Sequence, residues 1–172
     1  MKYVSTRDNS KEYNFEQVFI KGLADDGGLY VPTSLKKYSP QELQELKKLS
    51  YNELSIEIIN LFSSDFISKD ELSSLIKNSY STFREKEVVK ISNVGDIKLL
   101  ELFHGPTLAF KDVAMQFIGN LYEYYLSKNN KKINIVVATS GDTGAAAIDA
   151  IKGKSNLNIF VLHPNNRISS VQ

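Results

Sequence analysis

Two apolar-rich runs in the second half of the chain, Ile133–Ala138 and Leu157–Leu162, flank a helical stretch at 143–152 that Gly153 stops. Short apolar runs bounded by turn residues read as buried strands. A third apolar run, Ile97–Phe103, precedes another helical stretch that begins near Lys111 and ends near Leu126. Strand, helix, strand, helix, strand is the pattern of a parallel sheet wrapped by helices, so this half of the chain is constrained to an α/β architecture.

The junction after the Ile97 run carries chemistry. His104-Gly105-Pro106-Thr107 interrupts strand pairing, because Gly105 permits an unusual backbone angle and Pro106 lacks an amide hydrogen. Beyond it, Ala114, Phe117, Ile118, Leu121 and Tyr125 recur at helical spacing and define one apolar face. Lys111 therefore falls in the first turn of a helix, where exposed amides and the helix dipole disfavour a cation. Following the apolar Leu108-Ala109-Phe110, it is expected to lose its proton more readily than a surface lysine. A neutral amine is what Schiff-base chemistry requires. Taken alone, Lys111 has a plainer reading as one of 21 basic residues that solvates a helix.

A second loop, Thr139-Ser140-Gly141-Asp142-Thr143-Gly144, joins the C-terminal end of the Ile133 strand to the next helix. Ligands bind at that end of open α/β sheets. Helix-start amides, the hydroxyls of Ser140 and Thr143, and the small Gly141 and Gly144 form a cradle for a small anion or carboxylate. A strand-to-helix turn capped by Asp142 or Thr143 satisfies the same residues without a ligand.

The first half of the chain is built differently. Asn14 is placed to cap a helix over Phe15–Lys21 that Gly22 ends, and Asp26-Gly27-Gly28 forms a turn before an extended piece stopped by Pro32. Ser39/Glu42, Ser50/Glu53 and Ser68/Glu71 each place serine and glutamate three apart, the spacing of a capping box. The apolar sets Leu43/Leu46/Leu49, Leu54/Ile58/Leu61/Phe62 and Leu72/Leu75/Ile76 then give three helices one stripe each. The expected division is a mainly helical domain over residues 1–85 and an α/β domain over residues 86–172. Strands are expected at Val88–Ile91 and Ile97–Phe103 around a turn at Asn93-Val94-Gly95-Asp96.

A net charge of +1 offers no basic excess for a nucleic acid partner. The chain has no cysteine and only two histidines, His104 and His163, which argues against thiolate or histidine-rich metal sites. No apolar stretch approaches the length of a membrane span, and the N-terminal residues lack a signal-peptide core. The expectation is a cytoplasmic protein with no nucleic acid, membrane or metal partner.

Two blocks carry a family resemblance. His104 through Asp112, with Gln116 beyond, closely resembles the lysine signature of the threonine synthases, pyridoxal 5′-phosphate enzymes of fold type II. Gly22-Leu23-Ala24-Asp25-Asp26-Gly27-Gly28-Leu29-Tyr30-Val31-Pro32, with Ser5-Thr6-Arg7, is similar to the N-terminal signature of the same family. Asp8 departs from it, since that family usually has glycine after the arginine. Ala138 through Ala146 is similar to its substrate loop, where related enzymes commonly carry asparagine in place of Asp142.

The resemblance implies a helical N-terminal domain followed by the start of a parallel-sheet fold type II domain. It implies that Lys111 carries pyridoxal 5′-phosphate and moves protons, that Phe110 helps position the cofactor, and that Asp142 faces its oxygen edge. Ser140, Gly141, Asp142 and Thr143 would hold the substrate carboxylate. His104 is a candidate contact for ligand phosphate, and also a common structural hydrogen bonder. The implied reaction is a carbon–oxygen lyase step that turns O-phospho-L-homoserine and water into L-threonine and phosphate.

An amino-acid dehydratase, a phospho-lyase and a non-catalytic homologue are the alternatives, and monomer and dimer both stay open. The Gly22–Gly28 block argues against a dehydratase, and retention of Lys111 with the Ser140–Gly144 loop argues against a decayed site. No glycine-rich loop for the cofactor phosphate and no partner for its pyridine nitrogen is present, and no closing element precedes Ser169-Ser170-Val171-Gln172. The chain thus reads as the N-terminal part of such an enzyme, expected to be inactive alone.

Overall fold

The structure, a computed structural model, describes residues 1–167; residues 168–172, with the Ser169–Gln172 end, lie outside the described residues. The chain forms two compact units, one over Met1–Ser74 and a second from Leu75 onward.

In the first unit, β1 (Tyr3–Ser5) pairs antiparallel with β2 (Tyr30–Pro32), Val4 opposite Val31. Between them lies α1 (Phe15–Lys21), closed at its start by a reciprocal pair: the Asn14 side chain accepts from the Gln17 amide, and Gln17 accepts from the Asn14 amide. Phe15 and Phe19 on α1 stack at 5.8 Å between ring centres, and both meet Phe66, with Tyr3 edging Phe15 at 6.3 Å. Such aromatic clusters contribute beyond their buried area, and this one ties the N-terminal strand and α1 to the segment around Phe66.

The three serine–glutamate boxes start α2 (Pro40–Leu46), α3 (Tyr51–Ser63) and α4 (Lys69–Tyr80). Their apolar stripes are buried unevenly. Leu72 and Ile76 of the α4 set are enclosed, α3 encloses Ile56 rather than its expected Leu54/Ile58/Leu61/Phe62 set, and α2 buries none of its residues, with Leu43 48% exposed. Seven residues make only two turns, too short a helix to bury a full stripe.

In the second unit, β3 (Lys90–Val94) and β4 (Ile97–Glu101) form a hairpin in which Val94 faces Ile97 across the two-residue turn Gly95-Asp96. The expected turn was two residues longer and the first strand began at Val88. A two-residue hairpin turn pairs Val94 with Ile97 directly, and the ladder in that register runs out at Lys90 opposite Glu101, where β4 ends rather than at Phe103. Val88 instead adopts a left-handed backbone, φ 61°, with its side chain enclosed.

β5 (Ile133–Ala138) and β6 (Leu157–Leu162) run parallel in register, Ile135 opposite Ile159. They are the members of the parallel sheet among the described residues, since β4 pairs with β3. Helices α5 (Asp112–Lys128) and α6 (Asp142–Ile151) pack on each other along Gly119 and Ala150, with Leu121, Leu126, Ala147 and Ile151 enclosed. Residues 75–80 of α4 hold α5: the Tyr80 hydroxyl donates to the Val113 carbonyl at 3.0 Å, and the Asn120 amide donates to Ser79 Oγ at 2.8 Å. The Glu123 carboxylate accepts from the Asn156 amide at 3.2 Å and so fastens the turn before β6 to α5. Alternate side chains of the sheet, Val136, Phe160 and Leu162, stay 65, 55 and 61% exposed.

Candidate active site

Residues 102–111 leave β4 and turn into α5. Lys111 is the residue immediately before α5, its carbonyl accepting from the Met115 amide at 2.8 Å. Its side chain is half-buried, and its ammonium lies 4.2 Å from the centre of the Phe110 ring, a cation–π contact. Phe110 is 57% exposed, so its ring is not spent on the core of this unit. Lys111 and Phe110 line a cavity of ≈ 290 Å³ whose other walls are Leu102, Val113, Ala114 and Met115.

The turn before Lys111 is held at both ends. At its start, the His104 carbonyl accepts from the Arg84 amide at 2.9 Å, and His104 Nε2 lies 2.8 Å from Glu101 Oε2. Glu101 also accepts from the Ser92 hydroxyl; that bond, then the one to His104, holds its carboxyl below the usual carboxylate range. His104 is buried, at 9% exposed. At the far end, Asp112 accepts from the Thr107 amide and hydroxyl at 2.8 and 2.7 Å.

The loop between β5 and α6 is organised by Thr139. Its Oγ1 accepts from the Gly141 and Gly144 amides at 3.3 and 3.2 Å. A side-chain carbon on Gly144 would meet Thr139 Cγ2 at 2.3 Å, which is why glycine stands there. Two helix-start amides thus point inward, and the outward cradle expected from the motif is narrower than the residue types imply. Ser140 and Asp142 are exposed, while Gly141 and Thr143 are half-buried. A cavity of ≈ 520 Å³ opens here, bounded by Thr139, Gly141 and Gly144 on one side and by His163, Pro164 and Asn165 beyond β6 on the other.

The two loops belong to helices in direct contact. The Gln116 side-chain amide donates to Asp149 Oδ2 at 2.7 Å, from α5 to α6. A third cavity of ≈ 390 Å³ is lined by both Met115 and Thr143. Met115 also lines the Lys111 cavity, so one side chain separates the lysine's surroundings from those of Thr143. Phe110 and Lys111 share one cavity, Gly141 lies in another, and His104 lines neither.

Asp112, Thr139, Glu101 and Asn165 were not singled out by the sequence. The signal for Asp112 was its place directly after the lysine, and for Thr139 its place at the strand end. Glu101 and Asn165 gave none, since the partner Ser92 of Glu101 is set by the hairpin and the place of Asn165 by the end of β6. Among the described residues no group of histidines and carboxylates is arranged to hold a metal, and no helix is long and apolar enough to cross a membrane.

The family described as Threonine synthase N terminus matches residues 2–80. A threonine synthase of Saccharomyces cerevisiae is 46% identical over 186 residues, covering 99% of this chain and 36% of the relative. A threonine synthase-like 2 of Homo sapiens is 41% identical over 174 residues, covering all of this chain and 36% of that protein. The crystal structure of a PLP-bound threonine synthase from Brucella melitensis superposes with a TM-score of 0.93 at 41% identity, over 99% of this chain and 37% of that one. The chain therefore spans little more than a third of the length of the relatives it matches.

Proposed function

We propose that the chain is a member of the threonine synthase family, related to its N-terminal portion, and that it supplies the lysine and the substrate loop of a threonine synthase. The reaction is conversion of O-phospho-L-homoserine and water to L-threonine and phosphate. The observation that carries this reading is the contact of α5 with α6, which brings the Lys111 and Ser140–Thr143 loops to the starts of two packed helices.

The residues fit pyridoxal 5′-phosphate: a lysine amine beside an exposed aromatic face, in a cavity walled by Leu102, Val113 and Met115, suits a flat ring bearing an aldehyde. When bound, that group withdraws electrons from the carbon beside the substrate amine. Lys111 would hold the cofactor through Nζ, and its amine would take and return protons at the substrate's carbons. Phe110 offers a face that orients the ring. The hydroxyls of Ser140 and Thr143 would donate to the substrate carboxylate, Gly141 would leave room for it beside them, and Asp142 would face the cofactor's oxygen edge. His104 is the candidate contact for a ligand phosphate.

The exposed Val136, Phe160 and Leu162 support a further element of the reading: the chain acts together with the portion that its longer relatives carry. Alone it binds the cofactor weakly and turns over no substrate. The reading also places the enzyme in the cytoplasm and leaves its assembly state to measurement.

The test supplies the full-length gene product with pyridoxal 5′-phosphate and O-phospho-L-homoserine and follows phosphate and threonine together. Equal release of both, abolished in Lys111→Ala, is the expected result. Phosphate without threonine moves the assignment to a phospho-lyase on the same scaffold.

A further inference from the structure

The carboxylate next to Lys111 is used in an unusual way. Asp112 opens α5 and its side chain is fully enclosed. An acidic residue in the first turn of a helix ordinarily stays in water and gains from the helix dipole without being buried. Here both oxygens serve the preceding turn: Oδ2 accepts from the Thr107 amide at 2.8 Å and Oδ1 from the Thr107 hydroxyl at 2.7 Å. Burial of a carboxylate is costly unless its hydrogen bonds are made, so this arrangement commits the turn to one geometry.

Two other features fit only that geometry. Gly105 lies so close to Asp112 that a side-chain carbon on it would stand 2.4 Å from Asp112 Cβ and 2.5 Å from Oδ2. Leu108, one residue past Thr107, is held in a left-handed backbone, φ 64°, which a leucine adopts only when its surroundings impose it.

We propose that Asp112 is a positioning residue for Lys111: by clamping the Gly105–Thr107 turn it fixes the direction in which Lys111 leaves the start of α5. Successive residues at a helix start diverge by about 100° around the axis. With Asp112 locked inward on Thr107, Lys111 is turned away from the turn, into the cavity it shares with Phe110. The clamp itself stands on the geometry; its consequence for cofactor binding rests on the reading of Lys111 given above.

Two readouts in the full-length protein separate these levels. The first is hydrogen exchange at the Thr107 amide without cofactor. Loss of a charged acceptor in Asp112→Ala is expected to speed it by about tenfold or more, with amides inside α5 unchanged. The second is trapping with pyridoxal 5′-phosphate and borohydride, the label at Lys111 measured against that at Lys128 and Lys131. The share at Lys111 is expected to fall about fivefold or more in Asp112→Ala. Asp112→Asn, which keeps an acceptor for the Thr107 amide and the side chain's shape, is expected to restore most of it.

Thr107→Val removes one arm of the clamp without touching Asp112; it serves if Asp112→Ala does not fold, and an intermediate loss is expected. Unchanged Thr107 exchange in the variants overturns the clamp, and faster exchange with an unchanged Lys111 share overturns its positioning role. If the unaltered protein shows no preference for Lys111, the cofactor reading fails. The clamp is then decided by Thr107 exchange alone, slow in the unaltered protein and fast in Asp112→Ala if it exists.

Discussion

Gly119→Ala tests the contact between α5 and α6 on which the proposed site rests. A side-chain carbon at this position would lie 2.5 Å from the Ala150 carbonyl oxygen and 3.2 Å from its carbon. Ordinary contact begins near 3.4 Å, so α5 and α6 must separate by roughly 3.4 − 2.5 = 0.9 Å. The obstacle is helix backbone, which cannot rotate aside as a side chain does. Ala147 and Ile151, both enclosed on α6, would move with it.

Overpacking of this kind costs about 1–3 kcal/mol, here toward the upper end, and replacing glycine by alanine within a helix returns about 1 kcal/mol. The expected net loss is about 1–2 kcal/mol. It is read as a fall of roughly 1 M in the urea midpoint, given a slope of about 1–3 kcal/mol/M. The same shift displaces Lys111 relative to the Ser140–Thr143 loop, and misplacement of about 1 Å is expected to lower turnover of the full-length protein by about tenfold or more. An unchanged or raised midpoint would refute the close approach of the helices, and with it the argument that joins the loops.

Tyr3 reports on the first unit at alkaline pH. Burial, and then the charge of Asp65, pushes its hydroxyl up from 10.0 to about 12. The fold favours the neutral form, so this contribution is whole below pH 10 and is lost between pH 10 and 12. The loss is about 1–2 kcal/mol once solvent screening is allowed for. Urea midpoints at pH 9 and 11 should fall less with pH in Tyr3→Phe than in the unaltered protein; an equal fall would remove Tyr3 from the account. Ser50→Ala removes the cap that accepts from the Glu53 amide and is expected to cost about 1 kcal/mol in thermal or urea unfolding. No measurable loss would mean that Glu53 and water satisfy the first turn of α3 without it.

Much of the site's chemistry was legible in the order of residues, because the order itself carries it. A glycine and a proline must end a strand at 104–107, apolar residues at helical spacing must follow, and Lys111 must fall where the two meet. The serine–glutamate boxes were legible for the same reason, since both partners lie within four residues of each other. What the sequence could not show is where atoms distant in the chain, or held by a particular backbone angle, come to rest. The place of β3 followed from a two-residue turn, and β4 was claimed by β3 rather than by the parallel strands. Burial of Asp112 depends on the bend that brings Thr107 back over the start of α5. The inward turn of the Gly141 and Gly144 amides depends on the rotamer of Thr139. The packing of α5 on α6 depends on Gly119 meeting Ala150, 31 residues further on. Local hydrogen-bond and backbone preferences act over a few residues and can be read from them. Close packing acts between surfaces, and those exist only once the chain has folded.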